Sequence, residues 1–365
     1  MSQAVPGYPA HPSVQAQLTE TVSDPLSTKY CSVEGEASFR EAYATHLGDV
    51  YGCSMDGEEV QVTSGCNMAF VATVLALADV GERILMTRPC YFNHESTLQM
   101  LGLSIDYVDL DPASGLQLDL PSLAAALTPE TRALALVSPN NPTGVVYTPE
   151  ALEAVFDLCR DRGVWLILDE TYRDFLPPQG SGSARPHNLF ARPGWQDTLV
   201  SLYSFSKSYC VPGARLGAVT AGSALCSELA KVVDNVQICA PVAPQLALRP
   251  LLSELRSWRE ENRTLLNDRT EAFRAALRDS SSDGWELVST GSYFAWVRHP
   301  FGDAPGMSVR VAQAMAREAG VLVIPGAFFG AAQEGCLRFA FANAEADQIR
   351  RIPDRLREVS RLPPP

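Results

Sequence analysis

Two apolar runs, Ala133-Leu-Ala-Leu-Val137 and Val164-Trp-Leu-Ile-Leu-Asp169, stand on either side of a helical pattern over Pro149–Arg162. Each run has the length and composition of a buried strand. Thr148 precedes the helical pattern as an N-cap, and a proline at the first helical position has a backbone already suited to a helix start. A strand, a helix and a second strand in this order indicate a sheet whose strands are largely parallel.

The same alternation continues in both directions along the chain. Further strands are predicted at Arg83–Thr87, Thr198–Tyr203 and Leu216–Thr220. Further helices are predicted at Ala37–Leu47, Met68–Leu77 and Leu225–Val236. We therefore predict an α/β fold with a large domain, in which helices flank a mostly parallel central sheet.

The pattern changes after about residue 250. A long amphipathic helix is predicted at Glu254–Leu277, and it is followed by short strands at Glu286–Thr290, Tyr293–Arg298 and Val321–Ile324 and by a closing helix at Ile349–Val359. This mixture predicts a smaller α+β domain. We expect residues 1–45 to form an N-terminal arm and a first helix that join the small domain, the arm itself being irregular over about 30 residues. Residues 46–245 are then the large domain and residues 246–365 the small C-terminal domain.

Charge and cysteine usage exclude several classes of protein. The net charge is −13 with a pI near 4.9, so nucleic acid and anionic membranes are not expected partners. No apolar run reaches the ~20 residues of a membrane span, and the first residues lack the basic and apolar regions of a signal peptide. The nine cysteines are scattered singly and the five histidines are isolated, which predicts reduced thiols, a cytoplasmic location and no metal site.

One lysine is notable because lysine is rare in this chain. The 29 basic residues include only three lysines, at positions 29, 207 and 231. Lys207 lies in Ser204-Phe-Ser-Lys207, and Arg215 follows it. A lysine amine can lose its proton and attack a carbonyl, which arginine cannot do. A nucleophilic amine with a hydroxyl and a guanidinium nearby suits a cofactor with an aldehyde and a phosphate, pyridoxal 5′-phosphate (PLP). The alternative is a lysine whose stem packs at a strand end.

A second segment has the pattern of a phosphate-binding turn. Ser64-Gly65-Cys66-Asn67 precedes the apolar helix that is predicted from Met68. The first amides of a helix have no acceptor within the helix and lie at the positive end of its dipole, so they bind anions. The alternative is an ordinary turn of small residues.

Three further segments place polar side chains where a ligand could meet them. The first is Ser138-Pro-Asn-Asn141-Pro-Thr-Gly144, which follows a strand and whose amide could donate to a phenolate oxygen, unless it is an ordinary loop. The second is Asp169, which ends a buried strand, so its carboxylate needs a partner such as a protonated pyridine nitrogen. Tyr172, three residues later, could reach the same ring. The alternative is that Asp169 caps the next segment. The third is Arg338, which lies between apolar neighbours and could bind a carboxylate of a ligand or of the protein itself.

Taken together, these motifs resemble the class I/II aminotransferases of the PLP-dependent fold type I superfamily, which includes aspartate aminotransferase. The resemblance covers nearly the whole chain, with the motifs in the family's order. It implies that Lys207 forms a Schiff base with PLP and that Asp169 keeps the pyridine nitrogen protonated. It also implies that Asn141 and Tyr172 bond the phenolic oxygen of the cofactor.

The resemblance extends to residues around the phosphate and the substrate. The residues implied to bind the phosphate or to lie next to it are Gly65, Cys66, Asn67, Ser204 and Arg215. Tyr91 matches the aromatic residue that stacks on the ring, with Phe92 as the close alternative. Arg338, with Asn141, is implied to bind the substrate carboxylate. Tyr30 matches a tyrosine that reaches the phosphate of a partner subunit, so the resemblance implies a homodimer with shared active sites.

The function implied is transfer of an α-amino group between an L-amino acid and a 2-oxo acid. The same lysine, aspartate and arginine would also serve a PLP-dependent lyase or synthase that performs β- or γ-elimination, replacement or cyclisation. A non-catalytic regulatory module is the third possibility, although no helix-turn-helix segment is present. A nicotinamide dehydrogenase and a serine hydrolase lack their G-x-G-x-x-G and G-x-S-x-G motifs.

Two features depart from the family pattern. Ala4-Val5-Pro6 stands where Gly-x-Pro is usual, close to the start of the sequence, so the lid over the substrate is expected to differ. In addition, no arginine matches the one that pairs with the side chain of a dicarboxylic substrate. Specificity for aspartate is therefore not indicated.

Overall fold

The computed structural model describes residues 1–178, 185–279 and 283–361. Its strands are β1 Val60–Thr63, β2 Arg83–Arg88, β3 Ser104–Asp109, β4 Thr131–Val137, β5 Trp165–Asp169, β6 Leu199–Ser204, β7 Gly217–Thr220, β8 Glu286–Gly291, β9 Phe294–Arg298, β10 Ile324–Pro325 and β11 Cys336–Ala340. Its α-helices are α1 Pro12–Val22, α2 Ala37–Tyr51, α3 Cys66–Leu77, α4 Phe92–Met100, α5 Leu120–Ala126, α6 Pro149–Arg162, α7 Phe205–Ser208, α8 Ser223–Val236, α9 Val242–Leu248, α10 Leu251–Glu254, α11 Arg256–Asp279, α12 Met307–Glu318, α13 Ala346–Arg350 and α14 Ile352–Ser360.

The first sheet has seven strands in the order β1-β7-β6-β5-β4-β2-β3. Neighbouring strands from β6 to β3 are parallel, whereas β7 is antiparallel to both β6 and β1. The central strands read as continuous apolar runs because helices cover both faces of the sheet, and two apolar clusters lie on the two sides. The predicted α/β fold with a mostly parallel sheet is therefore confirmed.

The register of this sheet brings three strand ends together. Val137 at the end of β4 is level with Asp169 at the end of β5, and Asp169 is level with Leu202 near the end of β6. On the other side of β6, Ser204 pairs with Gly217 of β7, which in turn pairs with Thr63 of β1. Loops after parallel strands leave from the same edge of a sheet, so the polar segments after β1, β4, β5 and β6 converge there.

The second sheet is smaller and antiparallel, with the order β10-β11-β9-β8. Helices α11, α12 and α14 enclose a separate apolar cluster against it, which includes Phe273, Met315, Phe339 and Leu356. The predicted mixture of short strands and helices after residue 250 is confirmed. In β11, Arg338 lies opposite both Ile324 and Trp296, so this arginine is in the middle of the sheet and not at its edge.

Some predicted elements were wrong in detail. The N-terminal arm is not irregular throughout, because α1 spans Pro12–Val22; its start is defined by His11, whose Nδ1 accepts from the amide of Ser13, and by the proline at its first position. The closing helix is two helices, α13 and α14, which meet at Arg351. The strand predicted at Val321–Ile324 is present only as the two residues of β10. Within the described residues, no helix combines the length and apolar character needed to cross a membrane.

Candidate active site

A cavity of about 530 Å³ opens at the edge where the strand ends converge. Its walls come from both sheets and from the N-terminal segment. The residues that line it are Ser2, Gln3, Ala4, Val5, Cys66, Asn67, Tyr91, Phe92, Asn93, Val137, Asn141, Asp169, Thr171, Tyr172, Ser204, Ser206, Lys207, Pro212, Arg215, Ile324 and Arg338. Residues from the whole length of the chain therefore meet in one space.

An anion seat forms one end of this cavity. Gly65 has a φ of +88° and precedes α3, so the amides of Cys66 and Asn67 are at the helix start and have no acceptor within the helix. The guanidinium of Arg215 lies directly over Gly65: a Cβ at that position would be 2.3 Å from Arg215 Nη2. Glycine is thus required at position 65. The guanidinium of Arg215, the N-terminus of α3 and Ser204 together form a site that suits an anion.

Lys207 lies on the short helix α7, directly after β6. Its amine reaches into the cavity and donates to the main-chain carbonyl of Ala4. Burial, together with the positive charges of Arg215 and Arg338, lowers the pKa of Lys207 to about 8. A lysine with this pKa has a substantial neutral fraction near neutral pH, and the neutral amine is the nucleophile.

Asp169 is buried at the end of β5 and is held by its neighbours. One carboxylate oxygen accepts from the amide of Thr171 at 2.9 Å, and the other lies 3.3 Å from His94 Nε2. Burial alone would raise the pKa of Asp169, but the contact with His94 and the bonds from Thr171 outweigh burial and hold this pKa below its usual value. The carboxylate is therefore ionised and able to bind a protonated ring nitrogen.

His94 is a neighbour of Asp169 that the sequence reasoning missed. It lies on α4, and its ring stacks on that of Phe70 with centroids 3.9 Å apart. Tyr91 meets the same imidazole edge to face at 5.0 Å. The helical spacing from Tyr91 to His94 was the signal available in the sequence, but it does not reveal that Asp169 is the partner.

Arg338 of the small sheet and Asn141 of the loop after β4 meet at the wall of the cavity. Arg338 Nη1 donates to Asn141 Oδ1 at 2.9 Å, while its Nε has no hydrogen-bond partner. The guanidinium carbon lies 5.1 Å from the ring centroids of both Phe294 and Phe329. A buried guanidinium without a carboxylate partner is suited to binding the carboxylate of a ligand.

Tyr172 lies beside this pair and keeps its hydroxyl protonated. Its ring packs against Tyr293 at 5.1 Å and against Phe294 at 5.2 Å. Burial, and then the neighbouring Tyr91, raise the pKa of Tyr172 well above its usual value. A phenol of this kind acts as a hydrogen-bond donor, as the sequence reasoning expected of a residue near the phenolic oxygen of a cofactor.

The N-terminal segment is the second feature that the sequence reasoning missed in detail. The carbonyl of Ser2 accepts from Arg338 Nη2, and the carbonyl of Ala4 accepts from Lys207. The segment is anchored on the small sheet, because the amide of Ala340 donates to the carbonyl of Met1 at 2.7 Å. Ala4-Val5-Pro6, which stands where the family usually has Gly-x-Pro, thus belongs to a stretch of main chain that forms one wall of the site.

The structure brings together nearly all of the residues that the sequence analysis singled out. Those that line the cavity are Cys66, Asn67, Tyr91, Asn141, Asp169, Tyr172, Ser204, Lys207, Arg215 and Arg338, with Phe92 beside Tyr91. Gly65 does not line it but supports Arg215. Tyr30 does not line it either, and 76% of this residue is exposed. Burial, followed by the charge of Asp169, raises the pKa of the Cys66 thiol well above its usual value, so Cys66 offers an anion its amide and not a thiolate.

The residues present fit PLP on the chemistry of the donor set. The seat formed by Arg215, Gly65 and the start of α3 matches a phosphate in charge and in donor geometry. The ionised Asp169 matches a pyridinium, and the amine of Lys207 matches an aldehyde. The unpaired Nε of Arg338 leaves a donor for a second anion, which is not part of the cofactor.

Comparisons with known proteins agree with this chemistry. Residues 7–356 match the family described as aminotransferase class I and II. The chain is 30% identical to the aromatic aminotransferase ISS1 of Arabidopsis thaliana, over 94% of this chain and 84% of that protein. It is 30% identical to the arginine–pyruvate transaminase AruH of Pseudomonas aeruginosa, over 92% and 86% respectively. Among solved structures, the aromatic aminotransferase of Pyrococcus horikoshii superposes with a TM-score of 0.87 at 25% identity, covering 98% of this chain and 94% of that one.

Proposed function

Because the chain belongs to the family of class I and II aminotransferases, we propose specific roles in transamination for the residues of its cavity. The enzyme is a PLP-dependent aminotransferase that moves an α-amino group between an amino acid and a 2-oxo acid. The observation that supports the assignment of roles is the convergence of Lys207, Asp169, Arg215 and Arg338 on one cavity. When bound, PLP supplies an aldehyde for attachment of the amine and a ring that draws electrons from Cα.

Lys207 would attach the cofactor through its aldehyde and would also serve as the acid–base group of the site. Its amine, when free, would hold and move a proton at the substrate Cα. A pKa of about 8 suits both directions, because general acid–base groups work best when their pKa lies near the working pH. The carbonyl of Ala4 is positioned to hold the released amine.

Asp169 and the anion seat hold the cofactor in place. Asp169 would keep the ring nitrogen protonated, and His94 Nε2 lies 3.3 Å from its carboxylate. The phosphate would be held by Arg215, Ser204 and the first amides of α3. Tyr172 and Asn141 would donate to the phenolic oxygen. Tyr91, whose ring meets that of His94 edge to face, would pack against the cofactor ring.

Arg338 sets the reaction geometry by holding the substrate carboxylate. Two parallel hydrogen bonds from a guanidinium define the plane of a carboxylate, and they thereby define the direction of the Cα–H bond. The phenyl rings of Phe294 and Phe329 keep water from this pair, which strengthens it. The substrate carboxylate would replace the carbonyl of Ser2, which accepts from Arg338 here.

A single half-reaction tests this function. The enzyme with bound PLP is mixed with an amino acid in the absence of a 2-oxo acid, and the absorbance of the bound cofactor is followed. We expect conversion to pyridoxamine phosphate with one equivalent of 2-oxo acid, identified by mass spectrometry. Product formed only from substrates with a leaving group at Cβ or Cγ would instead identify a lyase or synthase.

We also propose that the enzyme is a homodimer with shared active sites and works in the cytoplasm. Five apolar side chains that are exposed on the described surface support the dimer: Val22, Leu26, Tyr30, Val236 and Ile238. Val236 and Ile238 flank Gln237, whose Oε1 accepts from the amide of Ser64, next to the anion seat, at 3.3 Å. We propose that a partner subunit packs on these side chains, so that Tyr30 of one subunit approaches the phosphate site of the other. All nine cysteines are free, which is usual in a reducing compartment.

A further inference from the structure

We propose that the part of the cavity that receives the substrate side chain selects an uncharged side chain, aromatic or large aliphatic, over an acidic or a basic one. This inference rests on the proposed function, because it takes Lys207 and Arg338 as the groups that hold the two ends of the amino acid. Three observations on the described cavity support it: each of its basic side chains has another proposed group to bind, the carboxylate of Asp169 already has partners, and several apolar side chains lie around Arg338.

The cationic side chains of the cavity have other partners to bind. Among the described residues that line it, the basic ones are Lys207, Arg215 and Arg338. Lys207 is the attachment point, Arg215 lies over the glycine of the anion seat, and Arg338 faces the α-carboxylate. A second carboxylate on the substrate would therefore be buried without a cation from this chain, and burial of an unpaired charge is strongly unfavourable.

The acidic side chain of the cavity is engaged in the same way. Asp169 is the carboxylate among the described lining residues. One of its oxygens lies 3.3 Å from His94 Nε2, and the other accepts from the amide of Thr171. A guanidinium or ammonium on the substrate side chain would find no second carboxylate among the described residues that line the cavity.

Several apolar side chains lie around Arg338. Ile324 lies opposite Arg338 in the small sheet and lines the cavity, half-buried. Phe92 lines it from the large domain, and its ring is 5.4 Å from that of Phe329, one of the two rings that flank Arg338. Ala4 and Val5 also line the cavity, in the N-terminal segment whose Ser2 carbonyl accepts from Arg338. A side chain that extends from a carboxylate held by Arg338 meets these groups, and their burial favours apolar substrates.

The test uses the enzyme as it is isolated, with PLP bound, whatever its oligomeric state. Single-turnover conversion of the cofactor is measured with L-phenylalanine, L-leucine, L-aspartate, L-glutamate and L-arginine. We expect the second-order rate constants for phenylalanine and leucine to exceed those of the three charged amino acids by about 100-fold or more, because the charged side chains are left unpaired. If aspartate, glutamate or arginine reacts as fast as phenylalanine and leucine, this inference is overturned while the proposed function still stands. Conversion by no amino acid would contradict the proposed function and the inference with it.

A variant locates the selecting wall. Ile324→Arg places a cation opposite Arg338, and we expect the ratio of aspartate to phenylalanine rates to rise at least tenfold, by the pairing of the second carboxylate. Ile324→Leu keeps the apolar wall and should keep the preference of the original enzyme. Val80→Arg adds the same charge at an exposed turn and is the matched control. An unchanged ratio in an Ile324→Arg enzyme that binds PLP normally would show that this wall does not face the substrate side chain, and the inference would fail.

Discussion

Arg338 Nη1 lies 2.9 Å from Asn141 Oδ1, and this contact joins the small sheet to the loop that follows β4 of the large sheet. An amide has one acceptor oxygen and one donor nitrogen. Because Arg338 engages the oxygen of Asn141, the amide orientation is determined and its NH₂ group is left to donate to a ligand. The contact thus links the group that we propose binds the substrate carboxylate to the group that we propose bonds the phenolic oxygen of PLP.

Two substitutions of Asn141 separate these roles. Asn141→Ala removes the amide donor and leaves Arg338 without a carboxylate partner, so it should mainly lower kcat, by about 10²-fold, the order of ~3 kcal/mol of barrier. Asn141→Asp also removes the donor, but its carboxylate pairs with Arg338 and competes with the substrate carboxylate, so it should raise KM for the amino acid as well. Steady-state kinetics with the best substrate of the panel measure the split. The same KM in both variants would contradict the link between Asn141 and the substrate carboxylate.

Lys207 is predicted to be the site of covalent attachment. Borohydride reduction of the enzyme with bound PLP, followed by peptide mapping, should place the pyridoxyl group on Lys207. Lys207→Ala should bind PLP without the absorbance of a Schiff base, whereas Lys231→Ala, at an exposed residue paired with Glu228, should behave as the original enzyme. Recovery of the label on Lys29 or Lys231 would disprove the assignment.

The pKa of Lys207 predicts a pH dependence in the protein without cofactor. Because the pKa is lowered to about 8 from 10.5, the rate at which acetic anhydride labels Lys207 should rise through about pH 8. Between about pH 8 and 10.5 the unfolded chain binds more protons at this group than the folded one, so it contributes a rise in the free energy of unfolding with pH over that window. Labelling is read by mass spectrometry, with Lys207→Ala as the control for stability. A labelling midpoint above pH 10 would show that Lys207 is not held in the environment described.

Asp169→Ala should keep much of the phosphate binding but lose catalysis by several powers of ten, on the order of ~3–5 kcal/mol of barrier, since each 1.36 kcal/mol is tenfold. His94→Asn is the companion variant, because it removes the contact at 3.3 Å without removing the carboxylate, and its loss should be smaller. Turnover numbers and the dissociation constant of PLP measure both. Near-normal turnover in Asp169→Ala would refute the role of this carboxylate.

Tyr30 is predicted to act across a dimer interface. Tyr30→Phe should weaken retention of PLP by one hydrogen bond to a charged group, or ~1.5–3 kcal/mol, while light scattering still reports a dimer. Leu26→Asp combined with Ile238→Asp places charges at two exposed apolar residues of the proposed interface and should yield monomers with poor cofactor retention. A fully active monomer would overturn the shared site.

The local sequence determined the elements and the strand-end motifs. The helix at Pro149–Arg162 was predicted to the residue, because an N-cap, a first-position proline and the glycine that follows act within one turn. Asp169, Asn141 and Lys207 could be expected in one site, because they follow strands that the α/β pattern makes parallel neighbours. The prediction of an irregular N-terminal arm was wrong for Pro12–Val22. This segment has few apolar residues that would indicate a helix, and α1 is stabilised by packing against α9.

The tertiary structure alone decided which residues far apart in the chain are in contact. Arg338 and Asn141 are 197 residues apart, and Lys207 and Ala4 are 203 apart. Periodicity and capping act over a few residues, so they carry no information about which loops from two sheets will meet. The partner of His94, the main-chain wall at Ser2–Val5 and the apolar side of Ile324 all depend on strand register and on how the two sheets pack, and that packing is stabilised by apolar burial over the whole chain.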